Sequence, residues 1–324
     1  MIISRTPLRV SFVGGGSDLP SYYRAHGGAV LSMSIARYIY LSMHQNFDRD
    51  RNILKYSRIE STGSIDEIEH PIVRQVFRDY DINGVDFNSS ADVPAGTGLG
   101  SSSCFTVGLI NLCNAYKGVY ESRQKMAEKA CVVEIDRLGE PIGKQDQYAC
   151  AMGGLNFIEF HKDDSVTVEA VPLSFDRRRQ LEGNLVMFYM GGTRAAGPVL
   201  RRQAQNMGSD AAAADTMKEM VDQAFRLKAD ILNDVDVLGR YLHEGWVRKR
   251  SLAAGISTPE IDSAYARGME AGATGGKLLG AGGSGFLLMY VPGGARDAIR
   301  EALPEYRSTN IVLDSIGASI IYAD

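Results

Sequence analysis

The chain has 324 residues, of which 44% are hydrophobic and 23% are charged, and its formal net charge is −4. This length allows one large domain or two modest ones with a sizeable core, and the slightly acidic balance argues against a general nucleic-acid-binding surface. No apolar run approaches the length of a membrane span and no signal peptide is evident, so we expect a cytoplasmic protein without nucleic-acid or membrane partners.

The cysteines and histidines do not indicate a metal site. The four cysteines lie in largely apolar segments and form no C-x-x-C pair, which predicts reduced core residues. The five histidines are scattered and lack metal-ligand spacing.

The N-terminal stretch predicts strands that lead into a glycine turn. Residues 1–13 alternate apolar and polar side chains, and Pro7 divides them into two strand-like pieces. The sequence Gly-Gly-Gly-Ser-Asp18 follows, which indicates a tight turn or a close backbone approach. Asp18 can either cap the next segment or accept hydroxyl protons from a ligand, and the local sequence slightly favours capping. Further strands are predicted over residues 29–44 and 86–91.

The most informative stretch is the central segment from Pro94 to Ser103, Pro-Ala-Gly-Thr-Gly-Leu-Gly-Ser-Ser-Ser. Its pattern predicts a glycine-rich loop that enters a helix with a serine N-cap, and helical apolar spacing continues to about Tyr116. The free N–H groups and the positive dipole end of such a helix favour a phosphate. A capped surface loop without a ligand is the alternative. The segment lacks the lysine of a P-loop, and the turn after the first strand has Leu19 where a dinucleotide-binding loop has its third glycine.

Two acidic residues follow the central helix. A helix capped by Ser122 is predicted to end near Gly139, and Glu134 lies near its C-terminal end, where the helix dipole disfavours a carboxylate. Such a local conflict indicates a functional role. Asp146 opens an apolar segment, where a carboxylate is ordinarily an N-cap.

The composition shifts around residues 174–183, which we interpret as a domain boundary. Beyond it the patterns predict a strand over 185–190, followed by a small-residue turn that contains Arg194. The remaining predicted elements are a helix over 217–232, a helix that begins at Pro259, a glycine-rich stretch over 275–285, a strand over 286–291, a helix over 295–303 and two short final strands.

Glycine-rich stretches at the start, middle and end of the chain together resemble the GHMP small-molecule kinases, the family of galactokinase, homoserine kinase, mevalonate kinase and phosphomevalonate kinase. The segment from Pro94 to Ser103 matches the family pattern P-x-x-x-G-L-G-S-S-[AS]. The stretch from Lys277 to Gly285 looks like the third motif, K-L-x-G-A-G-G-x-G, and Thr6 to Asp18 is similar to the first. The resemblance spans nearly the whole chain.

This resemblance implies an α+β protein with the two-lobed GHMP kinase fold and an active site in the cleft between the lobes. Residues 1–176 would form an N-terminal lobe like domain 2 of ribosomal protein S5. Residues 177–324 would form a ferredoxin-like C-terminal lobe.

The first motif looks most like that of sugar-1-kinases acting on heptose 7-phosphate and related sugars. Galactokinases have G-E-H-x-D where this chain has Gly-Gly-Gly-Ser-Asp18, which argues against galactose itself. The resemblance therefore implies ATP-dependent phosphorylation of D-glycero-D-manno-heptose 7-phosphate at C1, in the nucleotide-heptose supply for surface polysaccharide. The expected partner is a small-molecule sugar phosphate, and the protein would be a monomer or a homodimer. The alternatives are a galactokinase- or fucokinase-like enzyme, a mevalonate-type kinase and a catalytically silent nucleotide-binding sensor.

The family match also implies roles for individual residues. Asp146 would accept the proton of the sugar 1-hydroxyl, with Arg9 beside it. Mg²⁺ would be bound by Ser102 and Glu134. ATP would be held by loop residues that share the central segment: Pro94, Gly96, Gly98, Leu99, Gly100, Ser101, Ser102 and Ser103.

The remaining implied residues would bind the sugar phosphate. Gly16, Ser17 and Asp18 would contact the sugar. Its distal phosphate needs cations, for which Arg194 is the first candidate, and Lys144 and Arg5 are weaker ones.

Overall fold

Helices and strands are mixed throughout the computed structural model, which describes residues 1–192, 211–253 and 255–324. The N-terminal half contains β1 (Ile2–Val13), α1 (Pro20–His26), β2 (Gly28–Gln45), β3 (Asn52–Lys55), β4 (Ile59–Thr62), α2 (Pro71–Tyr80), β5 (Val85–Ala91), α3 (Ser101–Tyr116), α4 (Arg123–Cys131), α5 (Gln145–Met152), β6 (Leu155–Phe160) and β7 (Val166–Ala170). The C-terminal half contains α6 (Phe175–Asn184), β8 (Leu185–Tyr189), α7 (Ala211–Asp230), α8 (Val237–Ser251), α9 (Pro259–Glu270), β9 (Gly275–Leu278), β10 (Phe286–Tyr290), α10 (Arg296–Ala302), β11 (Arg307–Asn310) and β12 (Ser319–Ala323).

The first sheet is built around the long strand β2. Its strand order is β12-β1-β2-β5-β3-β4. Strand β6 also pairs with β2, and β7 pairs with β6. Residues 28–33 of β2 pair with β6 and residues 39–45 pair with β5, so different parts of one strand serve two neighbours. All pairs are antiparallel except β3 with β5.

The second sheet is antiparallel, with the order β11-β8-β10-β9. Helix α3 packs on β1 and β2 of the first sheet, while α8 packs against β9 of the second and also reaches β1. The four cysteines are buried and form no disulfide, as predicted. None of the described helices combines the length and the apolar character that crossing a membrane requires.

Two local predictions are wrong. Strand β1 is continuous through Pro7, where only its register against β2 shifts. Helix α3 ends at Tyr116 as predicted, but its N-cap is Gly100, with φ of 75°, and no side chain caps it. The Ser101 hydroxyl instead accepts a hydrogen bond from the Gly96 N–H at 3.3 Å, within the loop.

The last strand does not join the second sheet. β12 pairs antiparallel with β1, and its residues Ser319 to Ala323 meet Arg5 to Ile2. The predicted boundary at residues 176 and 177 falls inside α6, which begins after its N-cap, Ser174. The division into residues 1–176 and 177–324 stays a prediction, and β12 pairs outside the second of these ranges.

The central segment is packed tightly against the third glycine-rich stretch, and glycine substitutions can test this close packing. A Cβ on Gly98, whose φ is 84°, would overlap the carbonyl oxygen of Leu279, whereas Gly118 has φ of 66° and open space around it. We expect Gly118→Ala to lower the free energy of unfolding by about 1 kcal/mol through backbone strain. Gly98→Ala should lower it by about 2 kcal/mol or more, because a steric clash is added. Urea titration measures both, and equal losses would contradict the close packing.

Candidate active site

The three glycine-rich stretches meet at a cleft of about 750 Å³. The central segment and the start of α3 form one wall, the turn after β1 forms a second, and residues 277–284 form a third. A cleft of this volume suits a nucleotide or a ligand of similar size. The motifs that are far apart in sequence therefore surround one space.

Arg9 and Asp146 form a bidentate salt bridge in this cleft. Arg9 Nε donates to Oδ1 at 2.7 Å, and Nη2 donates to Oδ2 at 2.6 Å. Arg9 Nη1 also donates to the carbonyl oxygen of Gly98 at 2.7 Å. The Asp146 side chain is 23% exposed and that of Arg9 is 4% exposed, so the carboxylate is the more accessible partner. The N-cap interpretation of Asp146 is wrong, because the N-cap of α5 is Lys144.

Asp18 lies at the exit of the glycine turn and lines the cleft. It does not cap α1; its Oδ1 accepts from the Gly16 N–H at 2.9 Å and its Oδ2 from the Gln145 N–H at 3.2 Å. Burial, and then the charge of Asp146, raise the pKa of Asp18. A Cβ on Gly143 would overlap Asp18 Oδ2, so this close approach requires glycine.

Ser102 and Glu134, the two residues predicted to bind Mg²⁺, are in direct contact. Ser102 Oγ donates to Glu134 Oε1 at 2.7 Å, and Gln147 Nε2 donates to Oε2 at 2.8 Å. Burial raises the pKa of Glu134, and these hydrogen bonds oppose the shift. Glu134 is fully buried behind Ser102, in a π-helical continuation of α4 over Val132–Arg137. Segments of this kind are frequent at functional sites.

Three predicted site residues shape the loops without lining the cleft. The Ser17 hydroxyl accepts from the Ala29 N–H at 3.1 Å and donates to the Ala29 carbonyl at 3.2 Å. The Leu99 carbonyl accepts from the Arg9 N–H at 3.1 Å. The Pro94 carbonyl accepts a threonine hydroxyl at 2.9 Å within the segment. The other predicted loop residues, Gly96, Gly98, Gly100, Ser101, Ser102 and Ser103, line the cleft.

One end of the cleft is aromatic and apolar, which the sequence analysis missed. Tyr56, His70, Ile72 and Phe105 line it, and the His70 and Phe105 rings stack with centroids 5.1 Å apart. Burial lowers the pKa of His70, which favours the neutral ring. A flat, apolar face of this type suits an aromatic base. All four residues lie outside the glycine-rich motifs, so no motif indicated them.

Two buried lysines also line the cleft. Lys249 on α8 is 6% exposed and donates to the carbonyl oxygen of Gly280, and Lys277 on β9 is 5% exposed and donates to the carbonyl oxygen of Phe12 at 3.0 Å. Burial lowers the pKa of Lys249 to about 8 and that of Lys277 well below its usual range. Lys277 was recognised only as part of a motif, and Lys249 was missed because α8 carries no motif.

The cations suggested for a distal phosphate are not brought together. Arg194 lies outside the described residues. Lys144 does not line the cleft: its Nζ donates to the Asp164 carbonyl at 2.8 Å. Arg5 does not line it either, and its guanidinium lies 4.6 Å from the Tyr38 ring centroid.

The buried ammonium of Lys249 makes folding stability depend on pH. The pKa of Lys249 is about 8 in the folded protein, mainly because of burial. The charge of Arg9 also disfavours the ammonium, whereas Asp18 and Asp146 favour it. The ammonium of Lys249 in turn lowers the pKa of Lys277. Between pH 8 and about 10.5 the unfolded chain holds a proton that the folded protein has lost, so stability rises with pH in this window.

Lys249→Met removes this contribution. The free energy of unfolding of the variant, relative to that of the wild type, should therefore be highest below pH 8. This difference should decrease by roughly 3 kcal/mol at most as the pH approaches 10.5. Urea titrations without phosphate or nucleotide measure the difference. Arg250→Met is the control, because Arg250 on the same helix pairs with Asp262 and is more exposed. A difference that does not change with pH would contradict the assignment.

Comparisons with known proteins identify similar kinases. Residues 68–154 match the family described as GHMP kinases N terminal domain, and residues 215–308 match GHMP kinases C terminal. D-glycero-alpha-D-manno-heptose 7-phosphate kinase of Campylobacter jejuni is 28% identical over 303 residues, covering 90% of this chain and 89% of that protein. Mevalonate kinase of Methanothermobacter thermautotrophicus is 28% identical over 228 residues, covering 68% and 69%.

A solved structure shares the whole architecture. The crystal structure of a D-glycero-D-manno-heptose 1-phosphate kinase from Bacteroides thetaiotaomicron superimposes with a TM-score of 0.82, at 25% identity, with all of both chains covered. This likeness confirms the predicted fold class, α+β with the two-lobed fold of these kinases. With both family domains matched in order and their motifs gathered around one cleft, the chain belongs to the GHMP kinase family.

Proposed function

We propose that this kinase transfers the γ-phosphoryl group of ATP to the C1 hydroxyl of D-glycero-D-manno-heptose 7-phosphate, which gives the 1,7-bisphosphate and ADP. The observation that carries the proposal is the bidentate pair of Arg9 and Asp146, which lies between the central segment and the glycine turn. The similarity to two heptose phosphate kinases supports the choice of sugar. The product would feed the synthesis of nucleotide-activated heptose for surface polysaccharide.

The central segment would hold the triphosphate. The first N–H groups of α3 have no acceptor inside the helix, and they open on the cleft with the positive end of the helix dipole. Gly96, Gly98 and Gly100 all have positive φ, which lets the loop backbone lie close to the phosphates. The aromatic end of the cleft, with His70 and Phe105, would take the base.

Asp146 would orient the C1 hydroxyl and accept its proton. Both of its oxygens already accept from Arg9, but each carboxylate oxygen has a second lone pair for the substrate. Arg9 fixes the carboxylate with two parallel bonds, and its charge also lies beside the position where negative charge develops on the transferred group. Phosphoryl transfer depends mainly on such positioning and charge balance.

The residues present fit a magnesium ion bound together with ATP. Mg²⁺ prefers oxygen ligands and is usually held by one or two carboxylates together with substrate phosphates and water. Ser102 supplies a hydroxyl at the cleft and Glu134 a carboxylate directly behind it. Among the described residues no cluster of three or more acidic, histidine or cysteine side chains competes for a metal. When bound, the ion would neutralise charge on the transferred phosphoryl group.

The sugar would lie against the turn after β1. Asp18 can accept sugar hydroxyls with its remaining lone pairs, and the Gly16 backbone lets the ligand approach. Ser11 Oγ and Gln145 Oε1 are buried at this wall and have no hydrogen-bond partner in the described part of the chain. Buried polar atoms normally have partners, so a ligand rich in hydroxyl groups suits this wall.

Turnover with a panel of acceptors tests the proposal. ADP release should require Mg²⁺ and should be fastest with D-glycero-D-manno-heptose 7-phosphate, with EDTA abolishing it; phosphorus NMR should show the new phosphate on C1. Galactose, fucose and mevalonate serve as competing acceptors. Turnover on one of these instead would reassign the enzyme within its family, and no ADP release with any acceptor would indicate a nucleotide-binding sensor.

Asp146→Asn tests the proposed base. Because the amide cannot accept the proton, turnover should fall by about 10²- to 10⁴-fold, while ATP binding measured by calorimetry stays nearly unchanged. Asp164→Asn is the matched control: it also removes an ion-paired carboxylate, but Asp164 lies outside the cleft beside Lys144. Loss of turnover and ATP binding together in Asp146→Asn would make Asp146 a structural residue.

A further inference from the structure

The pair of buried lysines is not explained by the nucleotide site. Each ammonium has three donors, yet within the described residues Lys249 and Lys277 each make one hydrogen bond, to a backbone carbonyl. Neither is in an ion pair with a carboxylate among the residues that the structure describes. Burial of an ammonium without an anion is unfavourable, and here two are buried within range of each other's charge.

Both lysines lie on the wall near the glycine turn. Lys277 contacts the carbonyl of Phe12, the residue that follows Ser11 in β1. Helix α8 approaches the end of β1 through Gly245, where a Cβ would lie 3.9 Å from Val13, and Lys249 follows one turn later. The same wall carries the unpartnered oxygens of Ser11 and Gln145.

We propose that Lys249 and Lys277 form a subsite for a phosphate dianion, and that this dianion is the phosphate that the acceptor substrate already carries. The inference rests on the proposed function for the identity of the acceptor. A bound dianion favours the protonated form of both lysines, which then provide unused donors and two positive charges that match the charge of a phosphate monoester. Asp18 and Asp146 favour the charge of Lys249 without forming an ion pair with it among the described residues, and the dianion supplies a directly paired anion for both lysines.

The triphosphate is a less suitable occupant. The triphosphate has its own donors in the first turn of α3. Arg9 has its three donor nitrogens used by Asp146 and Gly98. Of the described residues that line the cleft, Arg9, Lys249 and Lys277 are those with arginine or lysine side chains. The lysine pair is therefore the cationic site that a second phosphate can reach.

Acceptors with and without a phosphate show whether the lysines bind the phosphate of the acceptor or that of ATP. KM should be measured for heptose 7-phosphate, for the same heptose without phosphate, and for ATP. Lys249→Met and Lys277→Met should each raise the KM for heptose 7-phosphate by about 10- to 100-fold, because a charge-assisted hydrogen bond is lost. The KM for ATP and the kinetics with unphosphorylated heptose should stay within about twofold.

The opposite pattern overturns the proposal. If the variants slow both acceptors equally or raise the KM for ATP, the lysines serve the transferred phosphoryl group. Unchanged kinetics would show that they bind no phosphate. Arg250→Met, on the same helix but paired with Asp262, should behave as the wild type.

A binding measurement is independent of turnover. Heptose 7-phosphate without ATP should raise the melting temperature of the wild type and of Arg250→Met, and the shift should be lost in Lys249→Met. A shift that persists in Lys249→Met overturns the subsite.

Failure of the subsite and failure of the proposed function give different results. Equal use of heptose and heptose 7-phosphate by the wild type would contradict the subsite and would still support a heptose 1-kinase. If the wild type prefers another sugar phosphate and Lys249→Met raises the KM for it, the proposed sugar is wrong and the subsite is supported. Turnover only on sugars without phosphate overturns both.

Discussion

The salt bridge between Arg9 and Asp146 connects the parts of the chain on which the site depends. Arg9 comes from the middle of β1, Asp146 from the first turn of α5, and the third bond of the guanidinium holds Gly98 in the central segment. Because the guanidinium is planar and rigid, its contacts fix the relative positions of a strand, a helix and a loop. A lysine at position 9 could carry the charge but could not impose this geometry.

Close backbone approach is the second constraint. The central segment and the third glycine-rich stretch touch at Gly98 and Gly280, where a Cβ on either residue would overlap backbone atoms of the opposite segment. Gly143 allows the same proximity beside Asp18. Glycines at these positions leave the backbone groups at the surface of the cleft, where they can contact a ligand directly. The motifs are thus explained by the packing of loops on each other as much as by ligand contact.

The sequence predicted the elements that have strong periodicity, and most of the residues that it singled out in motifs line the cleft. The end of α3 at Tyr116, the cap of α4 at Ser122 and the start of α9 after Thr258 follow from local patterns. The capping alternatives considered for Asp18 and Asp146 are wrong, because these carboxylates make contacts that only the tertiary structure creates. Lys249 and His70 could not be found from the sequence, since neither is close to a glycine-rich motif and both reach the cleft through packing.

The pairing of β12 with β1 has a consequence for folding during synthesis. Residues near the start of the chain form the inner part of the first sheet, yet the neighbour on one edge of β1 is made only after the entire second sheet has been translated. Until then the outer edge of β1 from Ile2 to Arg5 lacks its partner strand, and its N–H and C=O groups can pair with other chains. Contacts this distant in sequence form slowly. This part of the edge therefore gains its partner only after residues 319–323 have left the ribosome.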